Sequence, residues 1–363
     1  MCLMFCNWEI YKMKKKILLT GDRPTGNLHI GHYVGSLKNR VEMQNSGEYE
    51  MYVMIADVQA LTDNFDNIEK VKNNIKEVML DYLAVGLDPS KTHFVLQSYL
   101  PAIFELPMYY ANLVSLNRLK RNPTVKSEIA QKGFGESVPA GFVFYPISQA
   151  ADITAFMADC VPVGEDQLPV IEQCHEIVST FNRLYGETLV MPKAILPTNK
   201  ACLRLVGTDG NAKMSKSLDN CIYLKDSEEE IKRKVMSMYT DPNHINITDK
   251  GDTKGNAVFK YLEAFCSKEH FAKYLPEYNN LDEMKAHYER GGLGDVKCKK
   301  FLNSILQELL APMRERRQMY EKDLDSVYAM LKDGSEKAKQ VTNQTLNKVR
   351  KAVGVDFFER VSK

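Results

Sequence analysis

Residues 16–32 read KILLTGDRPTGNLHIGH, a short apolar run, a glycine-containing turn and two histidines three residues apart. The apolar part, Ile17–Thr20, has the length and residue types of a buried strand, and the turn after it leads into a helix. Further strands are predicted at Tyr52–Ala56 and His93–Gln97, with a helix over Asp66–Val85 between them. Strands that alternate with helices in this way predict a doubly wound α/β domain with a parallel sheet.

The ends of the helix between the second and third strands carry residue types that cap helices. Asp66 stands three residues before Glu69, a spacing typical of a capping box at a helix N-terminus. Gly86 follows Val85, and glycine commonly ends a helix in a left-handed conformation. The sequence therefore predicts a helix that has Asp66 as its N-cap and stops at Gly86.

The character of the sequence changes near Leu224. Beyond this residue we find helical spacing and no convincing β-run, which predicts an all-helical second domain. Residues 1–12 are predicted to be an N-terminal extension that can be disordered. An α/β domain is predicted over 13–224 and a helical domain over 225–363. Helices of the second domain are predicted at Ser227–Tyr239, Ala257–Phe265, Lys297–Lys322 and Asp323–Val353.

The overall charge is almost balanced, with 48 Lys and Arg against 47 Asp and Glu. Such a chain is not a broadly basic coat for nucleic acid, and with 44% hydrophobic residues it is not a disordered chain either. The positive charge is segregated, however, because residues 297–351 hold 13 Lys and Arg against 7 Asp and Glu. This stretch is either a solvated helix surface or a surface that binds phosphates. Its two basic clusters consist of Arg314, Arg316, Arg317, Lys348, Arg350 and Lys351.

The sequence carries no signal of a membrane or secreted protein. It has no run that approaches the roughly 18 consecutive apolar residues of a membrane span, and Met1–Tyr11 lack the basic segment and cleavage site of a signal peptide. The eight cysteines include no Cys-x-x-Cys pair, so no zinc or iron–sulfur site is indicated. We expect a cytoplasmic protein with reduced thiols and without a membrane partner, and we assign no metal-ligating side chains.

The histidines of the opening stretch, His29 and His32, stand at the start of the helix that follows the first strand. Two imidazoles three residues apart on the first helical turn point the same way, and the helix N-terminus adds its positive dipole end. Such donors can stabilise charge that develops on a triphosphate, while Gly31 leaves bare backbone on which an adenine ring could lie. Taken alone, the pattern could also be a metal-binding pair or two surface histidines.

A second stretch suited to phosphate chemistry is Lys213–Ser217, which reads KMSKS and follows the glycine-containing segment Gly207–Asn211. Its two lysines, Lys213 and Lys216, are three residues apart on a loop. Such a loop can close over a departing pyrophosphate and neutralise its charge. A solvated lysine loop is the alternative for this stretch on its own.

Together, in this order and about 180 residues apart, the two stretches resemble the HIGH and KMSKS signatures of class I aminoacyl-tRNA synthetases. The resemblance implies a Rossmann-like catalytic domain that activates an amino acid with ATP and Mg²⁺ and then transfers it to tRNA. It also implies that the catalytic residues are His29, His32, Lys213 and Lys216. The residues that it implies at ATP are Arg23, Pro24, Thr25, Gly31, His32, Gly164, Glu165, Asp166, Lys213, Met214, Ser215, Lys216 and Ser217.

A third stretch, Val161–Gln167, reads VPVGEDQ and looks like the corresponding segment of tryptophanyl-tRNA synthetases. Ile55–Thr62 and Phe181–Gly186 are similar to the same family, so the resemblance covers essentially residues 16–353. It is nearest to the divergent second type found in bacteria. It implies that L-tryptophan is the substrate, that tRNA(Trp) is the partner, that the enzyme is a homodimer and that the helical domain binds the anticodon.

The same resemblance implies that Asp152 accepts the indole N–H of tryptophan and that Tyr145 and Gln149 hold its α-amino group. Gln167 would approach the tryptophan carboxylate or the ribose. Indole is a donor only, and an unpaired buried donor is costly, so an acceptor here disfavours phenylalanine. The common bacterial tryptophan enzymes carry Met at the position of Gln149, and Tyr-x-x-x-Gln-x-x-Asp is similar to tyrosine-activating relatives. Asp152 alone does not separate the two substrates, because tyrosine also offers one donor.

Several alternatives stay open on the sequence. Arg23 stands where the common bacterial form has Gln, and it either contacts a phosphate or sits in solvent. The chain could activate tyrosine, or it could be a paralogue that activates an amino acid without charging tRNA. A small-metabolite nucleotidyltransferase would share the first histidine stretch, but such enzymes generally lack a long helical domain and a KMSKS loop.

Overall fold

The computed structural model of the chain describes residues 15–135, 137–197, 205–210, 214, 218 and 220–358. Within them, five strands form one parallel sheet in the spatial order β3-β2-β1-β4-β5. The strands are β1 (Lys16–Asp22), β2 (Tyr49–Ile55), β3 (Thr92–Leu96), β4 (Cys160–Pro162) and β5 (Lys193–Ile195). The three strands predicted from the sequence are thereby confirmed.

The order of the strands reverses beside β1, because β2 and β3 lie on one side of it and β4 and β5 on the other. Leu18 pairs with Met51 of β2 and with Cys160 of β4. In open parallel sheets, ligands bind beyond the carboxyl ends of the strands at such a reversal. The predicted Rossmann-like, doubly wound fold is confirmed, and its topology places the segments that follow β1 and β4 on two sides of one crevice.

Helices surround the sheet. Those before Leu224 are α1 (Ile30–His32), α2 (Lys38–Ser46), α3 (Asp57–Ala60), α4 (Ile68–Val85), α5 (Ala102–Tyr110), α6 (Leu116–Arg121), α7 (Pro123–Lys132), α8 (Ala140–Ala155) and α9 (Leu168–Tyr185). Those after it are α10 (Glu228–Met236), α11 (Ala257–Phe265), α12 (Lys268–Tyr274), α13 (Leu281–Arg290), α14 (Asp295–Glu321) and α15 (Leu324–Val353). A π-helical turn, Tyr33–Leu37, joins α1 to α2, and short 3₁₀ turns lie at Gln97–Tyr99, Ala111–Leu113 and Glu165–Gln167. None of the described helices is both long and apolar enough to cross a membrane.

Alternate residues of the central strands face opposite sides of the sheet, and both sides are buried. Leu18 and Val53 belong to one apolar cluster, which includes residues of α4. Leu19 and Met54 belong to a second cluster, which includes residues of α8 and α9. Strands buried on both faces need nearly continuous apolar sequence, and for this reason β1 and β2 are recognisable as short apolar runs.

The start of α4 differs from the prediction. The helix begins at Ile68 and its N-cap is Asn67, whose side chain accepts a hydrogen bond from the Lys70 N–H at 3.1 Å. Asp66 is not the cap, although both residue types cap helices equally well. The Asn67 N–H donates to the Asn64 carbonyl oxygen, and this turn places Asn67, rather than Asp66, next to the Lys70 N–H. The predicted end is confirmed, since Gly86 has a φ of 101°.

The two long C-terminal helices pack against the α/β part of the chain, α14 along α4 and α15 across β3 and α5. Gly334 of α15 allows the close approach, because a Cβ there would lie 2.1 Å from the Phe94 carbonyl oxygen. The four helices predicted after Leu224 are confirmed as α10, α11, α14 and α15. The shorter α12 and α13 were missed. The division of the chain at Leu224 stays a prediction.

Candidate active site

A cavity of about 370 Å³ opens at the carboxyl ends of β1 and β4. Its walls come from the segment after β1, from α8 and from the segment after β4. The cavity thus joins one wall of the predicted ATP site to the predicted tryptophan pocket. The predicted site residues that line it are Arg23, Tyr145, Gln149, Asp152, Gly164 and Gln167.

The two histidines of the opening stretch lie at the N-terminus of α1, with their ring centres 3.8 Å apart. His29 is the N-cap, and its Nδ1 accepts a hydrogen bond from the Gly31 N–H at 3.1 Å. His32 Nδ1 accepts one from the His29 N–H at 3.2 Å. A ring nitrogen that accepts carries no proton, so in each neutral ring the proton lies on Nε2. Each Nε2 is therefore a donor, which is the polarity that a phosphate oxygen requires.

The backbone N–H groups at this helix end already have hydrogen-bond acceptors within the protein. The N–H groups of His29 and Gly31 are taken up by the two Nδ1 atoms. The Ile30 N–H donates to the Ile222 carbonyl oxygen at 3.0 Å. Donors for a phosphate at this point therefore come from the imidazoles rather than from the first turn of the helix.

Met214 of the second signature stretch, and the segment that follows the stretch, lie beside the first. The Leu224 N–H donates to the Leu28 carbonyl oxygen at 3.0 Å, so the segment after the KMSKS stretch runs antiparallel to the entry of α1. Met214 lies over Gly31, since a Cβ on Gly31 would be 3.3 Å from the Met214 sulfur. Other predicted residues of this stretch lie outside the described part of the chain, namely Lys213, Ser215, Lys216 and Ser217.

Asp152 lies on α8 with its carboxylate buried in the cavity wall. Both of its oxygens accept hydrogen bonds from Gln97 Nε2 at 3.0 Å. Burial raises the pKa of Asp152 to about 7, and the hydrogen bond from Gln97 opposes that rise. A carboxylate has about four lone-pair sites, so this one can accept a further hydrogen bond from a ring N–H or O–H in the cavity.

Tyr145 and Gln149 share a face of α8 with Asp152, as their spacing of four and three residues requires. Tyr145 Oη is buried and lies beside the carboxylate of Glu128. Burial, followed by the negative charge of Glu128, raises the pKa of Tyr145. Glu128 of α7 also lines the cavity, and the sequence analysis did not single it out. Its charge is opposite to that of an α-ammonium group.

The turn after β1 carries the predicted ATP residues Arg23, Pro24 and Thr25. The Thr25 N–H donates to the Arg23 carbonyl oxygen at 2.8 Å, which closes the turn. The Arg23 guanidinium lies 3.3 Å from the Asp63 carboxylate, which also pairs with Lys132 at 2.6 Å. Arg23 is thus paired at the rim of the cavity with its side chain 40% exposed, and its contact with a phosphate stays a prediction.

The VPVGEDQ stretch forms the opposite rim. A Cβ on Gly164 would lie 2.6 Å from Asp166 Oδ1, so a side chain there would displace the Asp166 carboxylate. Thr124 Oγ1 donates to the Asp166 carbonyl oxygen at 2.6 Å, and Gln167 Nε2 donates to Asp166 Oδ2 at 3.2 Å. Glu165 and Asp166 are exposed. The stretch is thus an ordered turn with its carboxylates toward solvent, at the mouth of the cavity.

The comparisons with known proteins agree with this geometry. The model of the class I tRNA synthetases for tryptophan and tyrosine matches residues 12–311. The chain belongs to this family. The tryptophan–tRNA ligase of Clostridium longisporum is 60% identical to this synthetase over 350 residues, 96% of this chain and 100% of the relative. That of Streptococcus pyogenes serotype M1 is 57% identical over 347 residues, 95% of this chain and 100% of the relative.

A solved structure also resembles this chain and supports the same family. The tryptophanyl-tRNA synthetase from Campylobacter jejuni, complexed with ADP and tryptophan, has a TM-score of 0.78 and 30% identity to this synthetase. The alignment covers 93% of this chain and 99% of that one. The resemblance to tryptophanyl-tRNA synthetases that the sequence indicated is confirmed.

The wall of the cavity contains an ion pair that the sequence analysis missed, with Arg40 buried and Asp22 partly buried. Arg40 of α2 lies 2.6 Å from Asp22 at the end of β1, and Tyr82 Oη donates to the same carboxylate at 2.8 Å. Burial alone would raise the pKa of Asp22, but the charge and hydrogen bond of Arg40 outweigh it and hold this pKa at about 2. Asp22 and Arg40 both line the cavity. The carboxyl end of β1 is therefore tied to α2 and α4.

The first basic cluster of the C-terminal part is used inside the synthetase. Arg317 is buried and lies 2.6 Å from Asp81 and 2.7 Å from Glu77, both on α4. Arg316 Nε donates to the Ala84 carbonyl oxygen at 2.7 Å. Neither of the two expectations for this cluster, a solvated surface or a phosphate-binding one, describes these two side chains, since they hold α14 to α4.

Proposed function

We propose that this synthetase joins L-tryptophan to tRNA(Trp) in two steps. In the first, the tryptophan carboxylate attacks the α-phosphorus of ATP, which forms tryptophanyl-adenylate and releases pyrophosphate. In the second, a ribose hydroxyl of the terminal adenosine of the tRNA attacks the adenylate carbonyl carbon, and AMP leaves. The observation that carries the proposal is the single cavity that extends from the buried acceptor Asp152 to Arg23 and the segment after α1.

Recognition of the amino acid depends on the hydrogen-bonding side chains that α8 presents to the cavity. The Asp152 carboxylate accepts the indole N–H, because an indole nitrogen can only donate. Tyr145 Oη and Gln149 hold the α-amino group, with Glu128 supplying the opposite charge, and Gln167 approaches the carboxylate. The identity of 57–60% to proteins named tryptophan–tRNA ligase supports tryptophan over tyrosine.

Catalysis consists of positioning and of charge stabilisation. The Nε2–H groups of His29 and His32 donate to phosphate oxygens, and the ammonium groups of Lys213 and Lys216 neutralise the departing pyrophosphate. The proximity of Met214 to Gly31 supports these assignments, since Met214 stands between the two lysines in the sequence and Gly31 lies on the helix that carries the histidines. No covalent intermediate with the protein is required.

The remaining residues of the ATP site are assigned to the two rims of the cavity. Arg23, Pro24 and Thr25 contact ATP on one side, and Gly164, Glu165 and Asp166 contact the ribose side. The KMSKS stretch, Lys213 to Ser217, covers the phosphates.

Mg²⁺ accompanies ATP in this proposal and offsets the negative charge of the triphosphate. The ion takes oxygen ligands and is commonly held by substrate phosphates with one or two carboxylates. Among the described residues, no group of three or more His, Cys, Asp or Glu side chains is arranged to hold a metal. In this proposal the ligands of the ion are mainly phosphate oxygens and water.

The proposal extends to the assembly. The helical part after Leu224 binds the anticodon of tRNA(Trp), and the synthetase acts as a cytoplasmic homodimer. Exposed apolar side chains on α5 and α6 support an interface between subunits, since Phe104, Met108 and Leu116 are 45–64% exposed.

ATP–pyrophosphate exchange with purified protein tests the first step. We expect exchange that depends on L-tryptophan and not on L-tyrosine. Exchange driven by tyrosine alone would overturn the choice of amino acid, and no exchange with either would overturn the reaction.

Charging of tRNA tests the second step. We expect the protein to attach labelled tryptophan to tRNA(Trp) after exchange has been demonstrated. Exchange without charging would instead identify a paralogue that only activates the amino acid.

A further inference from the structure

The side chain that holds Asp152 comes from another part of the fold. Gln97 begins the 3₁₀ turn directly after β3, whereas Asp152 lies on α8. Both side chains are buried, and Gln97 Nε2 is 3.0 Å from each Asp152 oxygen. The amide therefore occupies one side of the carboxylate and leaves its other lone pairs for the cavity.

The orientation of the Gln97 amide is set by a third group. The Gln59 backbone N–H donates to Gln97 Oε1 at 2.9 Å. A reversed amide would turn its oxygen toward the Asp152 carboxylate and its NH₂ toward the Gln59 N–H, so acceptor would face acceptor and donor would face donor. Gln97 therefore has to donate to Asp152, which favours the ionised form of that carboxylate.

The C-terminal helix holds the strand end from which Gln97 projects. Ser335 Oγ of α15 accepts a hydrogen bond from the Leu96 N–H at 2.9 Å and donates to the Leu331 carbonyl oxygen at 2.7 Å. The adjacent Gly334 packs against Phe94 without room for a side chain. The end of β3 is thus clamped to α15 one residue before Gln97.

We infer that Gln97 is a positioning residue for the selection of tryptophan, that it aims the Asp152 carboxylate at the ring N–H, and that Ser335 supports it from α15. The inference rests on the proposed function. Without Gln97, the buried carboxylate can rotate and bind a proton, and its acceptor would no longer be fixed where the ring nitrogen lies. The preference for a ring that carries an N–H would then fall.

The other ionisable groups of the cavity interact with partners other than Asp152. The described residues give Asp152 no other hydrogen-bond partner than this amide. Asp22 and Arg40 pair with each other, Arg23 pairs with Asp63, and Glu128 faces Tyr145.

The test compares tryptophan with β-(3-benzothienyl)-L-alanine, in which sulfur replaces the ring N–H. The readout is the ratio of kcat/KM for the two amino acids in pyrophosphate exchange, since a merely structural role would lower both values alike. We expect Gln97→Met to reduce the preference for tryptophan by about tenfold or more. Gln173→Met is the matched control, because Gln173 is equally buried but lies on α9 and does not line the cavity.

Gln97→Glu is a second variant that keeps the shape of the side chain. It places a second carboxyl group against Asp152, and the two groups would share one proton. We expect the rise of kcat/KM for tryptophan with pH to move upward by about one pH unit. If Gln97→Met does not fold, this profile decides the question.

Ser335→Ala tests the support from α15. It should reduce the preference for tryptophan in the same direction as Gln97→Met but by less. The control is Thr345→Val, which removes a buried hydroxyl that donates within the same helix, to the Val341 carbonyl oxygen. An unchanged preference in Ser335→Ala would remove Ser335 from the proposal.

The results separate this inference from the proposed function. If the unaltered protein exchanges with tyrosine instead of tryptophan, the proposed function fails. If it exchanges with tryptophan, but Gln97→Met keeps the full preference and Gln97→Glu keeps the original pH profile, only the role of Gln97 is overturned.

Discussion

Met214 lies over Gly31, so close that a Cβ on the glycine would be 3.3 Å from the methionine sulfur. The same Cβ would be 2.9 Å from Cε1 and Nδ1 of His29. The missing side chain of Gly31 therefore leaves room for two neighbours, the His29 ring that caps the helix and Met214.

Gly31→Ala should displace the His29 ring and Met214 together. We expect kcat for pyrophosphate exchange to fall by about 10- to 100-fold, with KM for tryptophan changed by less than about twofold, since Asp152 is unaffected. Gly141→Ala is the control, because an added Cβ there meets nothing within 4 Å. An unchanged kcat would contradict the geometry of this helix end.

Asp152→Asn should weaken tryptophan binding by about tenfold and leave ATP binding nearly unchanged. The amide oxygen can still face the ring N–H, but it carries no charge. Equilibrium dialysis with each labelled ligand measures both dissociation constants. Equal losses for the two ligands would remove Asp152 from the tryptophan pocket.

Tryptophan binding should depend on pH through Asp152. Burial raises the pKa of this group to about 7 in the free protein, and the ionised form is the better acceptor. Affinity for tryptophan should therefore be full above pH 7 and fall as the pH drops below it, by up to about tenfold per pH unit. The dissociation constant of tryptophan, measured from about pH 5.5 to about pH 8, checks this. A flat profile in the unaltered protein, like the one expected for Asp152→Asn, would sink the prediction.

The same raised pKa gives the free energy of unfolding a pH dependence opposite to that of tryptophan affinity. The pKa of Asp152 is higher in the folded protein than its ordinary value of 3.8, so the folded state binds the proton more tightly. The contribution of this group to the free energy of unfolding is then largest below pH 4 and is lost as the pH rises through about 7. Urea unfolding of Asp152→Asn should lack that component of the pH dependence.

Lys216→Ala should slow adenylate formation while it changes tryptophan affinity little. The lysine is assigned to charge that develops as pyrophosphate leaves, so its loss acts on the transition state rather than on the bound amino acid. Single-turnover formation of the adenylate, compared with the dissociation constant of tryptophan, separates the two effects. A large rise in the dissociation constant of tryptophan would show that Lys216 acts on the bound amino acid rather than on the transition state.

Arg317→Met should destabilise the fold by about 3–5 kcal/mol, because it leaves Asp81 buried without its ion-pair partner. Asp81 also accepts a hydrogen bond from the Leu28 N–H at 2.8 Å, next to the histidine stretch. Arg350→Met is the control. Arg350 pairs with Glu105 at a site where both side chains are about one-third exposed or more, so its loss should cost less than about 1 kcal/mol. Urea unfolding measures both, and equal costs would contradict the buried role of Arg317.

The parts of the fold that were predicted are those with local signals. The apolar run of β1, the period of α4 and the stop at Gly86 each depend on residues within one element, and the structure confirms them. The cap of α4 shows the limit of such signals, because Asp66 and Asn67 are equally good candidates and only the preceding turn selects Asn67.

The residues of the candidate site likewise fall into those that the sequence predicted and those that only the structure revealed. Its motif residues were found because their spacing along the chain is characteristic, and Asp152, Tyr145 and Gln149 do line one cavity. Gln97 and Glu128 carry no such spacing. The one available signal for Gln97 was its position at the carboxyl end of the predicted strand His93–Gln97, since the carboxyl ends of parallel strands meet at the ligand.

The sequence by itself determined the class of the fold, the nucleotide chemistry and the family, because these depend on short motifs and on periodic burial within single elements. Only the tertiary structure decided which polar groups become partners. Gln97 meets Asp152 across 55 residues, Ser335 meets Leu96 across 239, and Arg317 meets Asp81 across 236. A buried polar group must find a partner wherever the packing of distant elements provides one. That choice is made by the arrangement of helices around the sheet, and the spacing of residues within one element does not reveal it.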